Sequence, residues 1–227
     1  MWVTEQNVAR VVEAYVGEYA SGKSEMAINR ALELKNQGRQ VTLVDLDTVE
    51  PFYTLRPLQD KLENLGVNLI CLSAKDSFGL GETGAMLNPK ARWALRHEGD
   101  IILDIGYGIH GAKTLNLVEG ANESEELKIL LVINYTRPMT NSRERIKEYI
   151  KSFDRIDGII ANTHLANETT VEIIKKGNTE IAAVAEENNL PVVYMAVDIR
   201  LAEEVNQHEF EIPIKFINRY MPEAIWS

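Results

Sequence analysis

Residues 17–24 read Gly-Glu-Tyr-Ala-Ser-Gly-Lys-Ser, and no other stretch of this chain restricts its folding as much. The apolar run VARVVEAYV (8–16) stops just before it, and a segment of helical period starts just after it. Two glycines five apart, followed at once by Lys23 and Ser24, suit a loop whose successive backbone N–H groups turn inward around an anion. A side chain at Gly17 or Gly22 would obstruct the tight turn or the close approach of that anion. The helix that follows would add its positive N-terminal end. The stretch therefore requires a strand, a loop and a helix in that order, with phosphate as the guest. A glycine turn carrying a surface lysine is the plainer alternative. On the phosphate reading Gly17, Glu18, Tyr19, Ala20, Ser21, Gly22, Lys23, Ser24 and Glu25 are candidate nucleotide-binding residues. Lys23 would set its ammonium against the β and γ phosphates, and Ser24 would give its hydroxyl to Mg²⁺.

The rest of the chain repeats the same strand-then-helix grammar. Strands are expected at 8–16, 40–46, 67–73, 100–106, 128–134, 156–162 and 191–197, mostly as near-continuous hydrophobic runs. Such runs fit a parallel sheet buried on both faces. Helices are expected over Ser24–Gln37, ending at Gly38, and over 84–97, 141–153 and 170–188. The chain has 227 residues, 45% of them hydrophobic and 26% charged, which fits one domain, 1–227, with a sizeable core. The predicted class is α/β: three layers, with a mostly parallel sheet of about seven strands covered by helices on both faces. The apolar tail IPIKFINRYMPEAIW is expected to dock on the body or on a partner.

Charge and cysteine content exclude several functions. With 24 basic and 34 acidic residues the net charge is -10, which repels a nucleic-acid backbone, and no basic patch segregates in the sequence. No apolar run is long enough to span a bilayer, and the N-terminus lacks the pattern of a secretory signal, so a cytoplasmic location is expected. Cys71 is the single cysteine and reads as a small core residue. His97, His110, His164 and His208 show no metal-ligand spacing.

Two acidic clusters sit where strands should end. Asp45 and Asp47 close the second strand, at the edge where ligands bind in parallel sheets. There Asp47 could hold metal-bound water or orient the attacking water; a turn or capping aspartate is the alternative for both residues. Asp104 ends the hydrophobic strand Ile101-Ile-Leu-Asp-Ile-Gly106, as a residue that partners Mg²⁺ through water would. Ser24, Asp47 and Asp104 are thus the candidate metal residues, and Lys23 and Asp47 the candidate catalytic ones.

Together with Asn162 in Gly158-Ile-Ile-Ala-Asn-Thr163, these parts resemble the branch of P-loop NTPases that contains the MinD/ParA ATPases, the nitrogenase iron protein and the cobyrinic acid amidating enzymes. The resemblance spans roughly residues 8–205. It implies that Asn162 reads the adenine edge and that the loop holding Asp198 closes around the base. No guanine-reading NKxD follows Asn134 or Asn162, so ATP with Mg²⁺ is favoured over GTP. The MinD/ParA group carries a lysine beside the first loop glycine that acts across a dimer, whereas this chain has Glu18. A homodimer is therefore an open expectation, and Arg56 or Arg137 becomes the candidate source of catalytic positive charge. The resemblance implies an ATP-hydrolysing switch with a protein partner. An ATP-dependent ligase or kinase, whose substrate would meet the glycine-rich 74–92 segment, and a non-hydrolysing nucleotide sensor are the alternatives.

Overall fold

The computed structural model describes residues 9–47, 55–72, 87–207 and 210–222. Its centre is one sheet of eight strands: β1 (Val12–Gly17), β2 (Val41–Leu46), β3 (Asn68–Ile70), β4 (Asp100–Ile105), β5 (Leu127–Ile133), β6 (Gly158–Ala161), β7 (Val192–Asp198) and β8 (Ile214–Ile217). Their order is β3-β2-β4-β1-β5-β6-β7-β8, and every pairing is parallel. The helices are α1 (Lys23–Asn36), α2 (Gln59–Asn64), α3 (Gly108–Ala112), α4 (Arg143–Lys151) and α5 (Val171–Glu187).

The strands are apolar on both sides because both sides are covered. Val16, Val44, Leu103, Leu131 and Ile159 pack with Ile146 of α4 and Ile181 of α5 on one face. Tyr15, Leu43, Ile102 and Ile160 pack with Met26 and Leu34 of α1 and Leu62 of α2 on the other. Neighbouring residues such as Tyr15 and Val16 enter opposite clusters, as the two-residue period of a strand requires. Helix starts are chemically marked: the Ser142 hydroxyl accepts from the Arg145 amide, and the Thr170 hydroxyl accepts from the Ile173 amide.

The tail docks on the body, as expected, and does so as an eighth strand, β8, parallel to β7. One expectation needs correction: the helix over 84–97 is not an α-helix where it is described, since Pro89–Arg96 is a 3-10 segment interrupted at Trp93. Its buried residues, Ala91 and Ala94, are three apart, a spacing that the three-residue turn places on one side. Residues 84–86 of that expectation lie outside the described residues. The remaining bounds shift modestly, with β1 beginning at Val12 and β3 limited to Asn68–Ile70. Cys71 is buried, as a core residue should be.

The two ends of the sheet do different work. At the N-terminal end, Asp100 is 1% exposed and accepts from the Val11 amide at 2.8 Å and from Arg39 through both its oxygens at 2.5 Å. This carboxylate ties α1's exit, β1 and β4 together. Asp100→Ala is expected to lower stability by about 3–5 kcal/mol, because Arg39 and a strand amide lose their acceptor in a low-dielectric setting. Urea unfolding of parent and variant measures the difference. At the C-terminal end, β1 leads outward to β2 on one side while β4 crosses to β5 on the other, which opens a crevice beside β1.

Candidate functional site

The 17–24 loop occupies that crevice. Gly17 ends β1 with no room for a side chain: a Cβ there would stand 2.5 Å from the Val132 carbonyl oxygen and 2.7 Å from Ser21 Oγ. Gly22 has φ 96° and ψ 20°, and a Cβ would meet Asn162 Nδ2 at 2.2 Å. The loop is closed internally. The Ser21 amide donates to the Glu18 carbonyl at 3.1 Å, and Lys23 Nζ donates to the same oxygen at 3.2 Å. Lys23 is 7% exposed, so its ammonium is held inside the loop. Ser21 is fully buried, and its hydroxyl has no partner among the described residues.

Asp104 faces this loop from β4, with Asp45 opposite it in register on β2. Asp104 is 1% exposed, and its Oδ1 has no hydrogen-bond partner among the described residues. Burial and the neighbouring Asp45 charge hold its carboxyl well above the usual range, while a hydrogen bond with Ser24 and the Lys23 charge oppose that shift. Asp45 is pushed up to about 6, chiefly by burial, although its oxygens accept from the Asp47 and Leu55 amides at 3.0 and 3.2 Å. Two buried carboxylates with an orphan oxygen beside a serine hydroxyl form a site short of positive charge. That donor set fits a Mg²⁺ ion, which takes oxygen ligands and keeps water and phosphate in its shell. No group of three His, Cys, Asp or Glu among the described residues forms a metal cage, so any ion here would rely on ligands that a phosphate brings.

A cavity of about 370 Å³ opens over the loop. Tyr19, Gly22, Lys23, Ser24 and Asp47 line it together with Asn162, Thr163, His164, Val197 and Asp198. Tyr107 packs edge-on against Tyr19, with ring centroids 5.6 Å apart.

The Thermotoga maritima cell division protein FtsY superposes with a TM-score of 0.55 at 18% identity, over 96% of this chain and 67% of its own. FtsY from Mycoplasma mycoides gives 0.55 at 16% identity, over 96% and 66%. The signal recognition particle receptor FtsY from Elizabethkingia anophelis, in complex with GDP, gives 0.56 at 16%, over 96% and 62%. The fold is that of a P-loop NTPase. This chain spans about two thirds or less of the length of these neighbours. No family model matches the sequence, and no curated protein matches it.

Within this P-loop fold the expected site residues fall into three groups. Gly17, Tyr19, Ala20, Ser21, Gly22, Lys23 and Ser24 form the loop and the start of α1, facing Asp104, and Asp47 lies on the cavity wall. Asn162 is 4% exposed and also lines the cavity, and one of its amide N–H bonds goes to the Ser21 carbonyl at 2.7 Å. It thereby braces the loop. Glu25 and Asp198 line the wall but are committed to protein groups. The Glu25 carboxylate accepts from the Tyr220 and Met221 amides at 2.8 and 2.9 Å, and burial lifts its pKa to about 7. Asp198 accepts from the Arg200 amide and guanidinium. Glu18 lies beside Tyr149 and, after burial, contributes to raising that phenol's pKa. Residues 48–54 and 73–86 lie outside the described residues, and with them most of the glycine-rich 74–92 segment.

Sequence reasoning missed Asn134, His164 and Arg219. Asn134 is fully buried; its Oδ1 accepts from the Thr136 and His164 amides, and its Nδ2 donates to the His164 carbonyl. It couples the loops after β5 and β6. An asparagine closing a hydrophobic strand, as Asn162 closes the next one, was the available signal. His164 is driven down to about 4 by burial and by the Arg137 and Arg219 charges, so it is neutral at pH 7. Its Nδ1 accepts from the Ala166 amide, which assigns the proton to Nε2.

Proposed function

We propose that this chain binds ATP with Mg²⁺ in the cavity above the P-loop and hydrolyses it slowly, as a nucleotide switch of the MinD/ParA-like branch. The observation that carries this reading is the buried Asp104 carboxylate, with its unpartnered oxygen, beside Lys23 and Ser24 of the loop. Bound phosphates would meet the loop amides and the Lys23 ammonium, which would give up its hold on the Glu18 carbonyl. Ser24 and Asp104 would hold Mg²⁺, whose role when bound is to neutralise phosphate charge. Asp47, on the cavity wall, would orient the attacking water.

Adenine is favoured by the sequence, in which no guanine-reading NKxD follows Asn134 or Asn162. Guanine nucleotide is the second reading, favoured by the GDP complex of the Elizabethkingia neighbour. A protein partner is supported by exposed Tyr19, Ile109, Met139 and Leu165, which all lie on loops or helix starts following strands at the same sheet edge.

Steady-state turnover with Mg²⁺-ATP and Mg²⁺-GTP tests the proposal. The expected result is turnover of ATP at least tenfold above GTP, with Asp47→Asn abolishing it while binding stays within about threefold of the parent. Preference for GTP would exchange the base assignment. Asp47→Asn turning over at the parental rate would remove Asp47 from the chemistry.

A further inference from the structure

We propose that Arg137 grips the phosphate chain of the bound nucleotide, as a cation supplied by the same chain from the side of β1 opposite Asp104. This rests on the nucleotide reading above and adds a residue to it.

The placement follows from the turn that carries it. Arg137 lies four residues after β5, which borders β1 on one side while β4, with Asp104, borders it on the other. The Arg137 amide donates to the Asn134 carbonyl at 3.1 Å, and the Thr140 hydroxyl donates to the same oxygen at 2.6 Å. The Asn134 side chain fastens the turn to the His164 backbone in both directions. Asn162, two residues before His164, bonds the P-loop itself at Ser21. The turn, the loop after β6 and the P-loop are thus one hydrogen-bonded unit, and Arg137 projects from it into the cavity wall.

Arg137 Nε is buried and has no hydrogen-bond partner among the described residues. Two carboxylates of the same wall are engaged elsewhere, Glu25 by backbone amides and Asp198 by Arg200. The imidazole of His164 is kept neutral beside it. Arg137 is half-buried in this wall, and its planar donor fork matches phosphate oxygens. With Glu18 where related loops carry lysine, Arg137 gives the site a second positive charge without a second protomer.

The test is equilibrium titration of the purified full chain with Mg²⁺-ATP, comparing the parent with Arg137→Met, Arg137→Lys and Lys23→Ala, each first checked by thermal melting. Arg137→Met keeps length and removes charge, and is expected to weaken binding at least tenfold with melting unchanged within a few degrees. Arg137→Lys, which keeps the charge without the fork, is expected to bind more tightly than Arg137→Met and more weakly than the parent. Binding by Arg137→Met within twofold of the parent, or equal weakening by Met and Lys, would overturn the inference. If Lys23→Ala loses binding while Arg137→Met keeps it, the nucleotide reading stands and this inference falls. If the parent binds no Mg²⁺-ATP, both fall.

Discussion

Lys23→Ala is expected to weaken Mg²⁺-ATP binding by about 100-fold or more while leaving the fold intact. The Lys23 ammonium is nearly buried and donates to the Glu18 carbonyl inside the loop. A triphosphate would replace that neutral acceptor with anionic oxygens, and charge-assisted bonds of this kind contribute roughly 1.5–3 kcal/mol each. At about 1.4 kcal/mol per decade, losing two such bonds accounts for a hundredfold. The core should tolerate the change, since α1 is anchored by Met26, Ile28, Ala31 and Leu34 rather than by Lys23. Fluorescence titration with a labelled nucleotide reads the affinity, and circular dichroism confirms the fold. Unchanged affinity would mean that the loop does not hold phosphate.

The second large effect has opposite signs in the two states of the protein. Asp104→Asn is expected to stabilise the nucleotide-free chain at pH 8 and to reduce Mg²⁺-dependent turnover by on the order of 10²–10³. In the free protein the Asp104 pKa lies above its unfolded value, because burial and Asp45 penalise the charged form. The folded state therefore binds the proton more tightly than the unfolded one, and stability falls as pH rises from below about 4 towards the folded pKa. Asparagine has the same shape and no charge, so the variant escapes that loss, and the gain should exceed about 1 kcal/mol at pH 8 and vanish near pH 4. Urea unfolding at the two pH values reads the stability, and phosphate release reads the turnover. A variant less stable than the parent at pH 8 would contradict the electrostatic account of this site.

Much of this architecture is written in local pattern. A loop of fixed spacing between an apolar strand and an amphipathic helix placed the end of β1 and both ends of α1 to within one residue, because strand burial and helix start are both set by near neighbours. The strand-terminal aspartates could be read in the same way, since a carboxylate closing a buried parallel strand has to emerge at the ligand edge. What stayed hidden depends on long-range contact. The tail became β8 because Ile214–Ile217 pairs with β7 and because Asn218 and Tyr220 bond to Asn29 and Glu25 of α1, partners about 190 residues away in sequence. Glu25 lines the cavity, and its carboxylate accepts from the Tyr220 and Met221 amides of that tail. The segment at 89–96 looked helical because three- and four-residue periods are hard to separate over eight residues. Asn134 and His164 carried no motif, since their role is to tie two loops together across the sheet edge.

The central claim is that residues 17–24 and Asp104 form one site for a metal-bound triphosphate. Its most direct test is a crystal structure of the full chain grown with Mg²⁺ and a non-hydrolysable ATP analogue. The account predicts phosphate oxygens against the amides of residues 19–24, Lys23 Nζ moved from the Glu18 carbonyl to the phosphates, and the metal between Ser24 and Asp104. A nucleotide bound elsewhere, or a loop that stays closed on Lys23 at saturating analogue, would contradict it.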